Sequence, residues 1–124
     1  MPTWYHSAVL HGDKQGRKIS FPTVNLDSKI WPEGKKPGVY SAKVKIGEHH
    51  FLGALYFGPR TMNQETYNVL EIFLLEFPTD KQIYGQQVSF SLHQFIRPVI
   101  HFQSLDQLKD QISQDVQDVR QSFK

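Results

Sequence analysis

Residues 39–50, VYSAKVKIGEHH, decide the fold class of this chain. From Tyr40 to Ile46, apolar side chains alternate with polar or charged ones. Strict alternation predicts a β-strand with one buried face and one wet face. The residues assigned to the core are Tyr40, Ala42, Val44 and Ile46, and those assigned to water are Ser41, Lys43 and Lys45. Gly47-Glu48 predicts a tight turn, after which residues 49–57 return as the partner strand.

Further strands are predicted on both sides of this hairpin. Residues 4–10 form a first candidate, and residues 86–96 alternate in the same way as the hairpin. Residues 68–77 are apolar on both faces, which predicts a central and well-covered strand. Gly58-Pro59 is expected to end the strand that precedes them. The irregular stretch 27–38 is rich in Pro and Gly and is long enough to act as a lid over a site.

The last segment changes to the period of an α-helix. Apolar residues recur there at intervals of 3 or 4, at Leu105, Leu108, Ile112, Val116, Val119 and Phe123. This spacing forms one stripe of a helix over about residues 104–122. Ser104 followed by Gln107 is a capping-box pattern, which favours a helix start at that point. Several short strands and one helix predict a mainly β protein, namely a small closed antiparallel barrel of about six strands with the helix packed across it.

Composition limits the class of protein further. A length of 124 residues is that of one ordinary domain, and 39% hydrophobic residues are normal for a folded chain. The net charge of +2 is too small to indicate nucleic-acid binding. The absence of cysteine excludes disulfides, thiolate metal sites and a cysteine nucleophile. Neither a secretory signal nor a bilayer-length apolar run is visible, so a cytoplasmic protein without a membrane partner is expected.

Residues 12–25, GDKQGRKISFPTVN, carry the strongest chemical signal. Glycines let main-chain N–H groups approach an anion, and the basic side chains of this loop add positive charge. Pro22 stiffens the chain, so Thr23 and Asn25 would lie on one face of an extended segment. A hydroxyl and an amide oxygen are hard, neutral ligands that Mg²⁺ accepts when phosphates supply the negative charge. The pattern predicts a Mg–nucleotide site, although a side-chain turn after Pro22 and an ordinary solvated loop would also explain it.

Glu71 is the most anomalous single residue. On a strand it shares a face with the apolar residues Val69, Phe73, Leu75 and Phe77. A carboxylate in such a row is costly to desolvate unless it is paired or used. From spacing alone, a catalytic role and a salt bridge or water-facing edge position remain equally open.

The Gly-x-x-x-Gly-Arg and Phe-Pro-Thr-x-Asn pattern within residues 12–25 resembles the nucleotide and Mg²⁺ motif of riboflavin kinases. Further segments resemble that family in the same order along the chain, namely Pro37-Gly38-Val39-Tyr40, Leu70-Glu71-Ile72, Ile83-Tyr84-Gly85, Phe95-Ile96-Arg97-Pro98 and residues 102–108. The likeness covers nearly the whole chain, from about residue 11 to residue 123. It implies a single kinase-like domain over residues 1–124 with a Greek-key-type barrel.

The resemblance also implies a reaction and a set of site residues. ATP and riboflavin would give ADP and FMN, with Mg²⁺ as the required metal. Glu71 would accept the proton of the riboflavin 5′-hydroxyl, and Glu71 and Arg97 would contact the flavin. Thr23 and Asn25 would bind Mg²⁺. The residues expected to bind the nucleotide are Gly12, Lys14, Gly16, Arg17, Lys18 and Thr23. Arg97 has the alternative of simply pairing with an acidic neighbour.

Several positions depart from the family pattern. Tyr56 stands where asparagine is usual, and residues 59–61 read Pro-Arg-Thr instead of Arg-Pro-Thr. Ser20, Phe73 and Val99 replace a common glycine, histidine and glutamate. The departures at Tyr56 and at residues 59–61 motivate a second hypothesis, a flavin- or nucleotide-binding protein of the same fold that does not catalyse. A third hypothesis, an oligonucleotide-binding barrel, leaves Glu71 unexplained.

Partners and domain content follow from the same resemblance. A monomer that binds no nucleic acid is expected. Because the chain begins close to the kinase motif, an FMN adenylyltransferase domain and FAD synthesis are not expected. The six histidines show no metal-ligand spacing, and His49-His50 beside the turn is expected to lie on the surface.

Overall fold

The computed structural model describes residues 2–10, 23–59, 67–76 and 86–124. Within these segments the chain forms six β-strands, one short 3₁₀ turn and one α-helix. Their bounds are β1 Tyr5–Ala8, β2 Thr23–Leu26, the 3₁₀ turn Ser28–Ile30, β3 Gly38–Ile46, β4 His49–Pro59, β5 Asn68–Leu74, β6 Gln87–Arg97 and α1 Leu105–Ser122. Over the same segments, no helix has the length and apolar character needed to cross a lipid bilayer.

The strands form one antiparallel sheet in the order β1-β6-β3-β4-β5-β2. Strands β3, β4 and β5 are successive neighbours, and β6 returns to lie beside β3, which is a Greek-key arrangement. Beyond β1, the N–H group of Leu10 donates to the carbonyl oxygen of Asn25 in β2 over 2.7 Å. This bridge joins the two edge strands of the sheet. The prediction of a small, mainly β antiparallel barrel is therefore confirmed.

The β3–β4 hairpin forms as its alternation predicts. Ile46 pairs with His49 across a two-residue turn, and Gly47 has a φ of +60°, a conformation that favours glycine. The four apolar residues of β3 that were assigned to the core are all buried there. Lys43 and Lys45 are exposed, as expected. The inner face of the sheet is therefore the main hydrophobic core.

Ser41 is an exception, because the prediction that it faces water is wrong. Its side chain is fully buried. The hydroxyl accepts the N–H group of Gln94 at 3.1 Å and donates to the carbonyl oxygen of Gln94 at 3.4 Å. The register between β3 and β6 shifts beside this pair, which marks a β-bulge. A bulge disrupts the regular ladder, and here the serine hydroxyl supplies the missing partner for Gln94.

Two predicted strand ends are wrong. The strand before Gly58-Pro59 does not stop at Phe57, because both residues are part of β4, which ends at Pro59 opposite Asn68 of β5. Beyond Phe57, β4 has lost its partner β3, so a residue without an N–H group is tolerated there. Strand β5 ends at Leu74 instead of continuing, and Glu76 has a φ of +61°. That backbone conformation cannot continue a strand.

Helix α1 packs across the outer face of the barrel. Ser104 caps it by accepting the N–H group of Gln107, while the Gln107 side chain accepts from Gln103. The buried apolar residues at the contact between α1 and the barrel form one cluster, called the cluster below α1. Its members are Ala54 and Leu75 of the barrel side and Ile112, Val116 and Val119 of the helix. Leu105, expected on the buried stripe, is 36% exposed. Leu105 lies in the first turn of α1, whereas the buried residues of the helix begin at Ile112.

The stretch predicted to act as a lid is held against the barrel core. The Trp31 ring stacks on Phe57 with centroids 4.6 Å apart and meets Tyr40 edge-on at 5.3 Å. The indole N–H donates to the carbonyl oxygen of Lys35 at 3.0 Å. Asp27 caps the 3₁₀ turn by accepting the N–H group of Lys29. Aromatic packing therefore anchors this stretch.

Candidate active site on the outer face of the barrel

One row of side chains crosses the outer face of the sheet. Asn25 in β2 pairs directly with Glu71 in β5, and Glu71 pairs with Tyr56 in β4. Tyr56 pairs with Val39 in β3, which in turn pairs with Arg97 in β6. Directly opposed residues of antiparallel strands point to the same face, with Cβ atoms about 4.5–5.5 Å apart. The register therefore brings three predicted site residues, Asn25, Glu71 and Arg97, to a single face.

Thr23 extends this row at the β2 end. It lies two residues before Asn25 on the same strand and pairs with Phe73 of β5. Residues two apart on a strand share a face, so the Thr23 hydroxyl and the Asn25 amide point the same way. Both residues are partly buried. Within the described residues, no group of three His, Asp or Glu side chains is placed to hold a metal ion.

Glu71 has apolar and polar neighbours on this face. It is partly buried, as are Asn25 and Tyr56 on either side of it. The prediction that Glu71 shares a face of its strand with apolar residues holds for Phe73, which packs against the cluster below α1, and for Leu75, which is part of that cluster. The opposite face of β5 carries Leu70, Ile72 and Leu74 into the core. Glu71 is thus a partly buried carboxylate that lies directly opposite an amide residue on the neighbouring strand.

A bulge in β6 decides which way Arg97 points. Tyr40 pairs with Phe95 and Val39 pairs with Arg97. Ile96 is therefore an extra residue that has no paired residue on β3. Phe95 faces inward, where its ring meets Tyr40 edge-on at 5.1 Å. Ile96 packs on the other side, against the cluster below α1. Because a bulge inserts one residue, Arg97 also points outward, toward helix α1.

Arg97 forms a buried ion pair with Asp115 of α1. Its Nε–H and Nη2–H groups donate to the two carboxylate oxygens at 2.8 Å each, and Nη1–H donates to the carbonyl oxygen of Pro98 at 3.0 Å. The side chains are 13% and 4% exposed, respectively. The alternative that Arg97 pairs with an acidic neighbour is therefore realised. This pairing fixes the plane of the guanidinium at the β6 end of the row.

Tyr56 lies between the two charged members of the row. Its hydroxyl donates to the carbonyl oxygen of Pro59, and a Cβ atom at Gly58 would lie only 2.8 Å from that hydroxyl. Burial, with a smaller contribution from the Glu71 carboxylate, raises the pKa of Tyr56 to about 12, although the Arg97 guanidinium acts to lower it. The phenol is therefore neutral at physiological pH. Its pKa responds to both Glu71 and Arg97, so both charges act on the centre of the row.

The remaining predicted site residues lie outside the described part of the chain. They are Gly12, Lys14, Gly16, Arg17 and Lys18 of the basic loop. The departing residues Ser20, Arg60 and Thr61 also fall outside it. Their assignment to the nucleotide stays a prediction.

Asp115 is the one residue of this arrangement that sequence analysis missed. It lies on the helical stripe itself, because Leu108, Ile112, Asp115 and Val119 follow one another at intervals of 4, 3 and 4. A carboxylate inside a buried apolar stripe is as anomalous as Glu71 in its strand. That signal was present and could have found it.

Comparison with solved structures establishes the class of fold. A riboflavin kinase from Trypanosoma brucei superposes with a TM-score of 0.66 at 24% sequence identity, covering 95% of this chain and 77% of that chain. A protein from Streptococcus pneumoniae, described as a macrolide-efflux protein, superposes with a TM-score of 0.80 at 28% identity. The latter match covers 96% of this chain and 38% of the other.

The chain belongs to the riboflavin kinase family, because the flavokinase family model matches residues 1–123. A bifunctional riboflavin kinase/FMN adenylyltransferase from Listeria monocytogenes is 34% identical over 93% of this chain and 36% of that protein. An RNA-binding riboflavin kinase from Bacillus subtilis is 36% identical over 93% of this chain and 49% of that protein. The chain thus spans between 36% and 49% of the length of these two relatives. The predicted family is confirmed.

Proposed function

We propose that this chain transfers the γ-phosphoryl group of ATP to the 5′-hydroxyl of riboflavin, giving FMN and ADP, in a Mg²⁺-dependent reaction. The observation that carries the proposal is the direct cross-strand pairing of Glu71 with Asn25 on the outer face. The pairing places a candidate base beside a candidate metal ligand. Family membership supports the same activity.

Glu71 is proposed as the general base. Its carboxylate takes the proton of the riboflavin 5′-hydroxyl while the hydroxyl oxygen bonds to the γ-phosphorus atom. The bond from that phosphorus to the β–γ bridging oxygen breaks, and ADP leaves. Such a transfer depends mainly on positioning and on stabilisation of the phosphoryl charge by cations. A partly buried carboxylate on a strand that is paired on both sides supplies positioning and a proton acceptor.

Thr23 and Asn25 are the residues that would hold Mg²⁺. Their oxygens are hard and neutral, point to one face and lie next to the Glu71 position, so the donor set fits a cation whose remaining ligands come from phosphates and water. When bound, the ion supplies positive charge to the phosphate oxygens. The basic loop of residues 12–18 is proposed to bind the phosphates, and Arg97 to face the flavin and phosphate end. The cytoplasmic location, the monomeric state and the lack of nucleic-acid binding stay predictions.

In the decisive assay, the protein is incubated with riboflavin, ATP and MgCl₂, and the products are separated by chromatography, with flavin fluorescence to detect FMN and ultraviolet absorbance to detect ADP. We expect FMN and ADP to appear together in equal amounts, and chelation of Mg²⁺ to stop both. Tight flavin binding without any FMN would support the non-catalytic hypothesis instead. Unchanged riboflavin in the presence of folded protein would contradict the proposal.

Replacing Asn25 with alanine tests the metal assignment. Losing one oxygen ligand should raise the Mg²⁺ concentration for half-maximal rate by about tenfold or more, as disturbed metal sites commonly do. The measurement is the FMN formation rate at increasing Mg²⁺ concentrations. Asn68→Ala is the matched control, because Asn68 is exposed at the start of β5. An unchanged Mg²⁺ requirement in Asn25→Ala would remove Asn25 from the metal site.

A further inference from the structure

Asp115 stands out because it is the one charged residue that is buried among the residues the structure describes. It lies on α1, among the apolar residues that dock the helix onto the barrel. Gln111 donates to its Oδ1 atom at 3.0 Å, and Arg97 donates to both of its oxygens. The carboxylate is thus held by three hydrogen bonds, from partners on two different elements.

Helix docking alone does not account for this burial. Desolvating an ion pair offsets most of its Coulomb attraction, and apolar residues of similar volume hold elements together as well or better. The apolar cluster below α1 already supplies that contact through Ile112, Val116 and Val119. An apolar residue in place of Asp115 could not fix the orientation of the Arg97 guanidinium. The planar guanidinium forms two parallel hydrogen bonds to a carboxylate, and these bonds set its plane.

We infer that Asp115 is a positioning residue of the phosphoryl-transfer site, which holds the Arg97 guanidinium at the β6 end of the row that also contains Tyr56, Glu71 and Asn25, so that it can meet an anionic group of the substrate. The inference rests on the proposed function. A guanidinium carries five N–H groups, and three of those of Arg97 are engaged by Asp115 and Pro98. One N–H group on each terminal nitrogen is left over from these three bonds.

The electrostatics of the row support this geometry. The pKa of Tyr56 is lowered by Arg97 and raised by Glu71, so the cation acts on the same place as the proposed base. A positive charge there would stabilise the negative charge carried by the transferred phosphoryl group. Without Asp115, the long and flexible Arg97 side chain would adopt several rotamers and its charge would no longer be preorganised.

The test is Asp115→Asn, with Asp118→Asn as the matched control. Asp118 lies three residues further along α1 and accepts a hydrogen bond from the side chain of Gln114 at 3.0 Å, as Asp115 does from Gln111. Among the residues that the structure describes, no arginine is paired with Asp118. We expect kcat of Asp115→Asn to fall at least about tenfold, and the KM values for riboflavin and MgATP to change by less than about threefold. Asp118→Asn should retain the kcat of the parent protein.

A double-mutant cycle separates positioning from a merely structural role. In an Arg97→Lys background, Asp115→Asn should lower kcat by less than about twofold more, because no guanidinium fork is left to orient. Full and independent effects of the two substitutions would overturn the inference. So would a lower melting temperature of Asp115→Asn with the parent kcat per folded molecule.

Two further measurements keep the test decisive. If Asp115→Asn does not fold, Gln111→Ala replaces it with Gln114→Ala as control, and a kcat equal to that of the parent overturns the inference. The Nε–H resonance of Arg97 in a ¹H–¹⁵N spectrum reports the geometry without turnover and should disappear in Asp115→Asn. A parent protein that makes no FMN would refute the proposed function, whereas an active parent with an equally active Asp115→Asn refutes only the positioning role.

Discussion

Replacing Glu71 with glutamine is expected to leave the barrel folded and to lower kcat for FMN formation at least about 100-fold, the usual contribution of a general base. Glutamine keeps the size and the hydrogen-bonding ability of glutamate but cannot accept the hydroxyl proton. The side chain points away from the main core, so the substitution disturbs no core packing. The measurement is steady-state FMN production together with thermal unfolding.

Glu76→Gln is the control for this experiment. Glu76 follows β5 in the turn, its side chain is 81% exposed, and it meets Arg120 at 3.6 Å in a surface ion pair. Such exposed pairs contribute at most about 1 kcal/mol, so Glu76→Gln should retain parent activity and stability. A Glu71→Gln enzyme within about threefold of the parent rate would show that Glu71 is not the base.

Replacing Gly38 with alanine is expected to destabilise the protein by more than about 3 kcal/mol, which is the range of strongly disruptive core changes. Gly38 has a φ of +145°, and a Cβ atom there would overlap the carbonyl oxygen of Arg97 and lie 2.9 Å from a ring carbon of Phe95. Backbone atoms of a paired strand cannot give way as a flexible side chain can. The measurement is the free energy of unfolding in denaturant.

Gly34→Ala separates backbone strain from steric overlap. Gly34 also has a positive φ, +89°, but nothing lies within 4 Å of a Cβ atom placed there. Its substitution should therefore cost only the backbone strain, about 1–3 kcal/mol. Equal effects of Gly34→Ala and Gly38→Ala would show that crowding against β6 is unimportant. Because Gly38 adjoins the Val39–Arg97 pair, we also expect residual Gly38→Ala protein to lose activity.

Much of the site could be predicted from local sequence. The apolar strand pattern around Glu71 identified a carboxylate among apolar residues. Pro22 indicated an extended segment that carries Thr23 and Asn25. Period-2 and period-3.6 patterns depend on neighbours a few residues away, so they are visible without the fold. The hairpin at Gly47-Glu48 and helix α1 were found for the same reason.

Strand ends and faces were harder to predict where pairing overrides the local pattern. Gly58-Pro59 is typical of a strand end, yet both residues belong to β4 because β5 still pairs with them. Ser41 stands at a polar position of an alternation, yet it is fully buried beside a bulge, where its hydroxyl bonds to Gln94. Strict alternation on β6 would place Arg97 on the same face as Phe95. The extra residue Ile96 reverses that placement.

The amino-acid sequence by itself determined the mainly β class, the C-terminal helix and the chemical types in the site, because propensity, turn chemistry and periodicity act over a few residues. Tertiary structure alone decided that Asn25 faces Glu71, that Arg97 turns outward and that Asp115 receives it. These placements depend on strand register and bulges, which are set by hydrogen bonds and packing between segments far apart in the chain.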